Sequence, residues 1–214
     1  PLSVRGFFDQ PSRALWLVKW LLLIPHYIIL VFLWLAFWLV TVIAFFAILF
    51  TTRYPKGLFD FNVGVIRWSW RVGFYGYTAL GTDRYPPFTL ADVPDYPARL
   101  EIDYPERLNR WLPLVKWLLA FPQYILVGAL VGSGYVVSIS VQDSRVTSYS
   151  TPSLIGACVL IAAIAMLFTT RYPPGLFDFA VGINRWGYRL LVYVSLMTDQ
   201  YPPFRLDQGS VDSE

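Results

Sequence analysis

The chain has 214 residues, 56% of them hydrophobic and only 14% charged, with a formal net charge of +3. Soluble domains carry about 25% charged residues, so this composition cannot clothe a water-facing globule of the same size, and lipid is the expected solvent. Seventeen Lys and Arg scattered among apolar residues exclude a nucleic-acid surface, and a single cysteine, Cys158, excludes an internal disulfide and any cysteine-based metal cluster.

Residues 1–12 are polar and mixed and predict no cleavable signal peptide. Within them Arg5–Asp9 aligns with Arg99–Asp103, where polar and apolar residues alternate as in a strand. Each segment precedes a Pro and an Arg (Pro11 and Arg13, Pro105 and Arg107), and the two are expected to pair on the cytoplasmic face. The first apolar stretch runs from Ala14 to Phe50, too long for one span of roughly 20 residues and short for two. Its counterpart in the second half holds a polar insertion, VQDSRVTSYSTPS, which makes the interval from Pro122 to Arg171 21 residues longer than that from Pro25 to Arg53. Insertions are tolerated where a chain already emerges into water. That predicts a turn near Trp34–Phe37 and a transmembrane helical hairpin in each half, about 12–34 with 36–52 and 107–141 with 153–170. The competing reading is a short amphipathic helix to Ile24 and one span from Tyr27 to Phe50.

Both apolar stretches close on one phrase, TTRYPKGLFDF at 51–61 and TTRYPPGLFDF at 169–179. Each runs on into an Arg-Trp segment and ends in a second phrase, TDRYPPF at 82–88 and TDQYPPF at 198–204. The chain is therefore read as a tandem duplication. A first unit covers 1–90, an acidic Pro-rich linker 91–106, and a second unit 107–206 with its outer-loop insertion at about 133–153; a disordered tail, 207–214, follows. In each unit Arg53, Tyr54, Pro55, Gly57 and Asp60, or Arg171, Tyr172, Pro173, Gly175 and Asp178, make a structural corner. Pro and Gly end one helix and redirect the chain, and the Asp is placed to cap the next helix.

The segment Leu58–Leu80 is long enough to span but has Arg67 and Arg71 near its middle. Asp60, Gly64, Arg67 and Arg71 fall on one helical stripe, repeated as Asp178, Gly182, Arg185 and Arg189. Such a helix belongs flat in the membrane interface. Like charges four residues apart repel, so the two arginine pairs are candidate sites for the phosphates of anionic lipid; the plainer reading is the wet face of an interfacial helix. The expected fold is all-α and integral to the membrane, with four spans, two interfacial helices and two short strands. Lys and Arg cluster on the side that holds both termini, both RYP phrases and the linker, Arg145 excepted, which places that side in the cytoplasm.

Lys19 and Lys116 are expected to snorkel to the interface. His26 is the only histidine, with Gln123 at the matching place, and that position is expected to bond a neighbouring helix. No acidic residue lies in a span, which argues against a proton relay or cation-coupled carrier. No phosphate loop, H-x-x-x-H, G-x-S-x-G or C-x-x-C occurs. The leading expectation is a non-catalytic accessory or scaffolding subunit of a larger membrane complex, holding anionic lipid and using no cofactor or metal. Two alternatives stand beside it. One is a lipid or amphiphile transporter with a cavity between the halves lined by the four arginines; the other is a lipid-modifying enzyme built on Asp60, Asp178, Tyr54 or Tyr172.

The phrases RYP-[KP]-GLFDF-x-VG…RW and TD-x-YPPF resemble the bacterial membrane family known as domain of unknown function 4389, one unit per half over nearly the whole chain. The resemblance implies a bacterial inner-membrane protein of multiple spans. It implies no activity and transfers no catalytic residue.

Overall fold

The computed structural model describes residues 2–9, 11–12, 14–131, 134–140, 145–151, 153–169 and 172–207. Arg13, Arg171 and the tail beyond Asp207 lie outside the described residues. The described chain is mostly helical, in the order β1 (Leu2–Gly6), α1 (Trp16–Thr51), α2 (Lys56–Tyr75), β2 (Ala98–Ile102), α3 (Leu112–Leu119), α4 (Phe121–Val131), β3 (Gly134–Ser140), β4 (Arg145–Thr151), α5 (Leu154–Thr169) and α6 (Pro174–Val194).

The first apolar stretch does not turn at Trp34–Phe37. It is one 36-residue helix, α1, long and apolar enough to cross a membrane. The reason is local: Trp34-Leu35-Ala36-Phe37 offers neither Gly nor Pro to leave the helix. Helix α1 stops at Thr52, whose left-handed φ of 61° turns the chain while its N–H still reaches the Ile48 carbonyl. The hairpin lies one element later. Asn62 bonds Thr41 at 3.2 Å, and Ser69 bonds Trp34 at 3.1 Å. Gly76 abuts Leu23. As numbers rise along α2 they fall along α1, so α2 runs back beside α1.

The second unit follows the same course in pieces. Helices α3 and α4 meet at a 47° bend and satisfy the length and apolarity of a span only together, while α5 is a shorter apolar helix. Between α4 and α5, where a polar loop was expected, β3 and β4 pair antiparallel from Gly134↔Thr151 to Ser140↔Arg145. The alternation of β-branched residues in YVVSIS and RVTSYST suits a ribbon. The two expected strands on the linker side do form. Strands β1 and β2 pair antiparallel from Leu2↔Ile102 to Gly6↔Ala98, with Val4 opposite Leu100, β1 lying three residues before the segment the alignment suggested.

Helices α2 and α6 sit between two layers. Outside them α1, α3, α4 and α5 turn apolar backs outward, with Phe32 and Leu39 both 67% exposed. Inside, against α2 and α6, lies the β1–β2 ribbon. One hydrophobic core joins the units, bringing Phe37, Tyr54 and Trp70 of the first together with Val159, Tyr172 and Ile183 of the second. Phe74 meets Phe177 edge-on at 5.9 Å across the join.

Candidate functional site

The polar groups of the fold converge on two straps, residues 82–91 and 198–207, which follow the TD-x-YPPF phrases along α2 and α6. Each strap is pinned in the same order. Lys19 is fully buried; its Nζ donates to the Thr82 carbonyl at 2.6 Å, pairs with Asp83 at 3.0 Å and lies 4.5 Å from the centre of the Tyr75 ring. Lys116 repeats this with the Thr198 carbonyl at 2.7 Å, Asp199 at 2.8 Å and Tyr193 at 5.1 Å. Neither lysine snorkels. Burial opposes the charge on Asp83, but the Ser12 N–H and the Lys19 ammonium outweigh it and hold the carboxyl below its ordinary value. Further along, Tyr85 donates to the Leu22 carbonyl and Tyr201 to the Leu119 carbonyl.

His26 and Gln123 do bond a neighbouring helix. Trp68 Nε1 donates to His26 Nδ1 at 3.0 Å, and Phe88 of the strap stacks on the imidazole at 4.0 Å. Trp186 Nε1 donates to Gln123 Oε1 at 2.6 Å, while Gln123 Nε2 donates to the Pro202 carbonyl.

The four arginines lie where the stripe placed them, but that stripe is not a wet face. Past the exposed Asp60 and Asp178, the strap covers the glycine and the second arginine of each stripe. A Cβ on Gly64 would stand 2.8 Å from Leu90 Cβ and 3.0 Å from its carbonyl oxygen, and one on Gly182 would meet Leu206 at 2.9 Å. These glycines exist to let the strap approach. Beyond them Arg71, 2% exposed, donates to the carbonyls of Thr89 and Ala91. Arg189, 9% exposed, does the same for Arg205 and Asp207 at 3.0 and 2.6 Å. Burial draws the Arg71 guanidinium below its ordinary value, against the pull of nearby Tyr96 and Asp92. Arg67 and Arg185 reach instead to the ribbon, and they do so crosswise. Arg67 of the first unit donates to the Leu100 carbonyl at 2.8 Å; Arg185 of the second donates to the Val4 carbonyl at 2.8 Å. The two acceptors are the residues that face each other across the strand pair.

Between α1 and α2 the chain turns at Thr52–Pro55. Thr52 supplies the left-handed residue, and Pro55 and Pro173 precede the first turns of α2 and α6. Gly57 and Gly175 lie inside those turns, where an added Cβ would meet nothing within 4 Å. Asp60 and Asp178 cap neither helix; both are exposed, as is Arg53. Tyr54 is buried, accepts from Asn62 at 2.9 Å and has its hydroxyl pushed up to about 12 by burial. Tyr172 bonds across the join to the Ala79 carbonyl at 2.9 Å. The set required for a lipid-modifying enzyme thus divides, tyrosine hydroxyls inside and carboxylates outside. Among the described residues no three His, Cys, Asp or Glu stand together as metal ligands.

A family model described as Domain of unknown function (DUF4389) matches residues 13–89 and 146–205. The chain belongs to the DUF4389 family. The two matched segments are consistent with two DUF4389 copies, and each takes in one RYP corner, one Arg-bearing helix and one strap. Helices α3 and α4 fall between them, yet Lys116 and Gln123 make there the contacts that Lys19 and His26 make within the first DUF4389 segment. No curated protein and no solved structure matches the chain.

Proposed function

We propose that this DUF4389 protein is a non-catalytic scaffolding or accessory subunit of the bacterial inner membrane. In this reading the backs of α1, α3, α4 and α5 are immersed in lipid, while α2, α6, the β1–β2 ribbon, the straps and both termini stay at the cytoplasmic water boundary. The observation that carries it is the partition of charge. The four apolar helices hold two charged residues between them, Lys19 and Lys116, both buried and paired. The exposed charges lie off those four helices: Arg84, Asp92, Glu101 and Glu106 on the straps, ribbon and linker, Arg53 at the corner, and Lys56, Asp60 and Asp178 at the starts of α2 and α6.

A shallow course for α1 follows from its neighbours. At 36 residues it is roughly 54 Å long at 1.5 Å per residue, against a hydrocarbon core of about 30 Å. Helix α2 runs beside it with Arg67 and Arg71, so a steep crossing would carry these into hydrocarbon at roughly 2.5–3.5 kcal/mol each. The four crossings read from the sequence are not part of this proposal. A scaffolding role is supported by the use made of the interior polar groups, which hold the chain's own carbonyls in place. For anionic headgroups the reading turns to exposed cations at the end of α1. Arg53, Lys56, Arg107 and Arg110 gather there because the Leu108 N–H donates to the Thr52 carbonyl at 2.9 Å. Phe50 and Trp111, 73% and 67% exposed, flank them.

Single cysteines at Arg53, Arg84 and Glu101, probed in intact cells with an impermeant thiol reagent, test the placement. All three should be shielded until the inner membrane is opened. Labelling of positions 53 and 84 from opposite sides would overturn it. Purification in mild detergent tests the role: associated anionic lipid and a stoichiometric membrane subunit are expected, and a bare monomer would count against it.

A further inference from the structure

A cavity of about 510 Å³ opens between α1 and α2, within the roughly 300–1,000 Å³ of small-ligand pockets. Leu30, Trp34 and Trp38 of α1 and Val72 of α2 form its walls. Val31 and Leu35, 59% and 60% exposed on the apolar back of α1, form its mouth. No charged side chain lines it. Its polar groups are the indole N–H groups of Trp34 and Trp38 and four hydroxyls: Tyr27, Ser69, Thr78 and, from the second unit, Tyr188. Ser69 is satisfied, donating to the Val65 carbonyl and accepting from Trp34 Nε1. Thr78 Oγ1 is buried with no hydrogen-bond partner, and the half-buried Tyr188 lines the cavity with it. Buried hydroxyls are ordinarily paired, so this floor is short of an oxygen or nitrogen partner.

The second unit acts as an internal control. Counting from the equivalent Arg71 and Arg189, Ser69 becomes Gly187 and Gly73 becomes Leu191. Leu80 and Leu196, with left-handed φ of 50° and 66°, mark the end of the same turn. Between Tyr75 and Leu80 the first unit has Gly76-Tyr77-Thr78-Ala79, where the second has only Val194-Ser195. The repeat thus folds without the polar floor, and with a leucine where a Cβ on Gly73 would stand 2.7 Å from Thr78 Oγ1. The groove and its hydroxyls are additions to the unit rather than requirements of it.

We propose that this groove binds an uncharged membrane lipid bearing a hydroxyl or ester oxygen. The chain lies against the α1 wall and the oxygen meets Thr78 and Tyr188. The occupant comes from the bilayer because the mouth is on the apolar back, and it is neutral because the lining holds no counter-charge. The inference rests on the membrane placement proposed above. The test uses the full chain in vesicles doped with a photoactivatable diacylglycerol, or with a phosphatidylglycerol carrying the same reactive chain. The diacylglycerol should label peptides spanning Tyr27–Thr78 in clear preference to the charged probe. Thr78→Val should reduce that labelling about five-fold, as expected for one neutral hydrogen bond. Leu35→Trp, at an exposed position, should block the mouth while leaving the unfolding temperature unchanged. Equal labelling by the two probes, or labelling indifferent to both substitutions, would overturn the proposal. Flotation separates the two levels: protein that fails to float with the vesicles defeats the membrane placement, and protein that floats without groove labelling defeats this inference alone.

Discussion

At Lys19 a full charge is held among apolar helices by one carbonyl, one carboxylate and one ring. Breaking such a pair from one side leaves an uncompensated charge, which costs about 3–5 kcal/mol for buried pairs; with Asp83 26% exposed, Asp83→Asn should fall at the lower end. The pH dependence has a definite sign. The folded Asp83 carboxyl sits below its ordinary 3.8, so the folded state binds fewer protons than the unfolded one in that window. Its contribution is complete above the ordinary value and is lost as pH falls through the folded one. Unfolding temperatures of native protein and Asp83→Asn in detergent should therefore differ most near neutral pH and converge below about pH 4. The glycines make a second contrast. Gly64→Ala drives a methyl into Leu90 and should destabilise by about 1–3 kcal/mol. Gly57→Ala meets nothing and should raise stability by up to about 1 kcal/mol. Opposite shifts in unfolding temperature would check both.

At the scale of elements, the guanidinium of Arg71 closes the strap by donating to two of its backbone carbonyls, those of Thr89 and Ala91. Arg71→Lys keeps the charge but loses the fork, so amide exchange across residues 84–91 should accelerate in that variant while α1 remains protected. This clamp was not legible in the sequence, because carbonyl acceptors have no residue identity; the arginine stripe was visible and its partner was not. Lys19 and Lys116 were misread for a related reason, since their carboxylates lie far along the chain, though the joint recurrence of Lys and Asp in both units was a signal. The missed course of α1 has another cause. The insertion marked where the second unit could be opened, and that does not require the first unit to be open there. Removing 21 residues across β3 and β4, so as to restore the first unit's spacing, should join α4 to α5 in one helix. Circular dichroism should then record more helix with no loss of cooperative unfolding.

For the whole molecule, duplication and an apolar exterior were readable from two repeated phrases and a low charge content, and the alternation in Arg99–Asp103 announced the strand found at Ala98–Ile102. What the sequence did not reveal was the crosswise bonding of that strand. Each arginine of the ribbon site belongs to one unit and grips the strand that leads into the other, and each strand has the other as its ladder partner. Reciprocity of this kind makes the halves mutually dependent. Fragments cut in the linker and produced together should recombine into a working pair, whereas either one alone would have to find a twin, and an ancestor of single length would have lived as a symmetric homodimer.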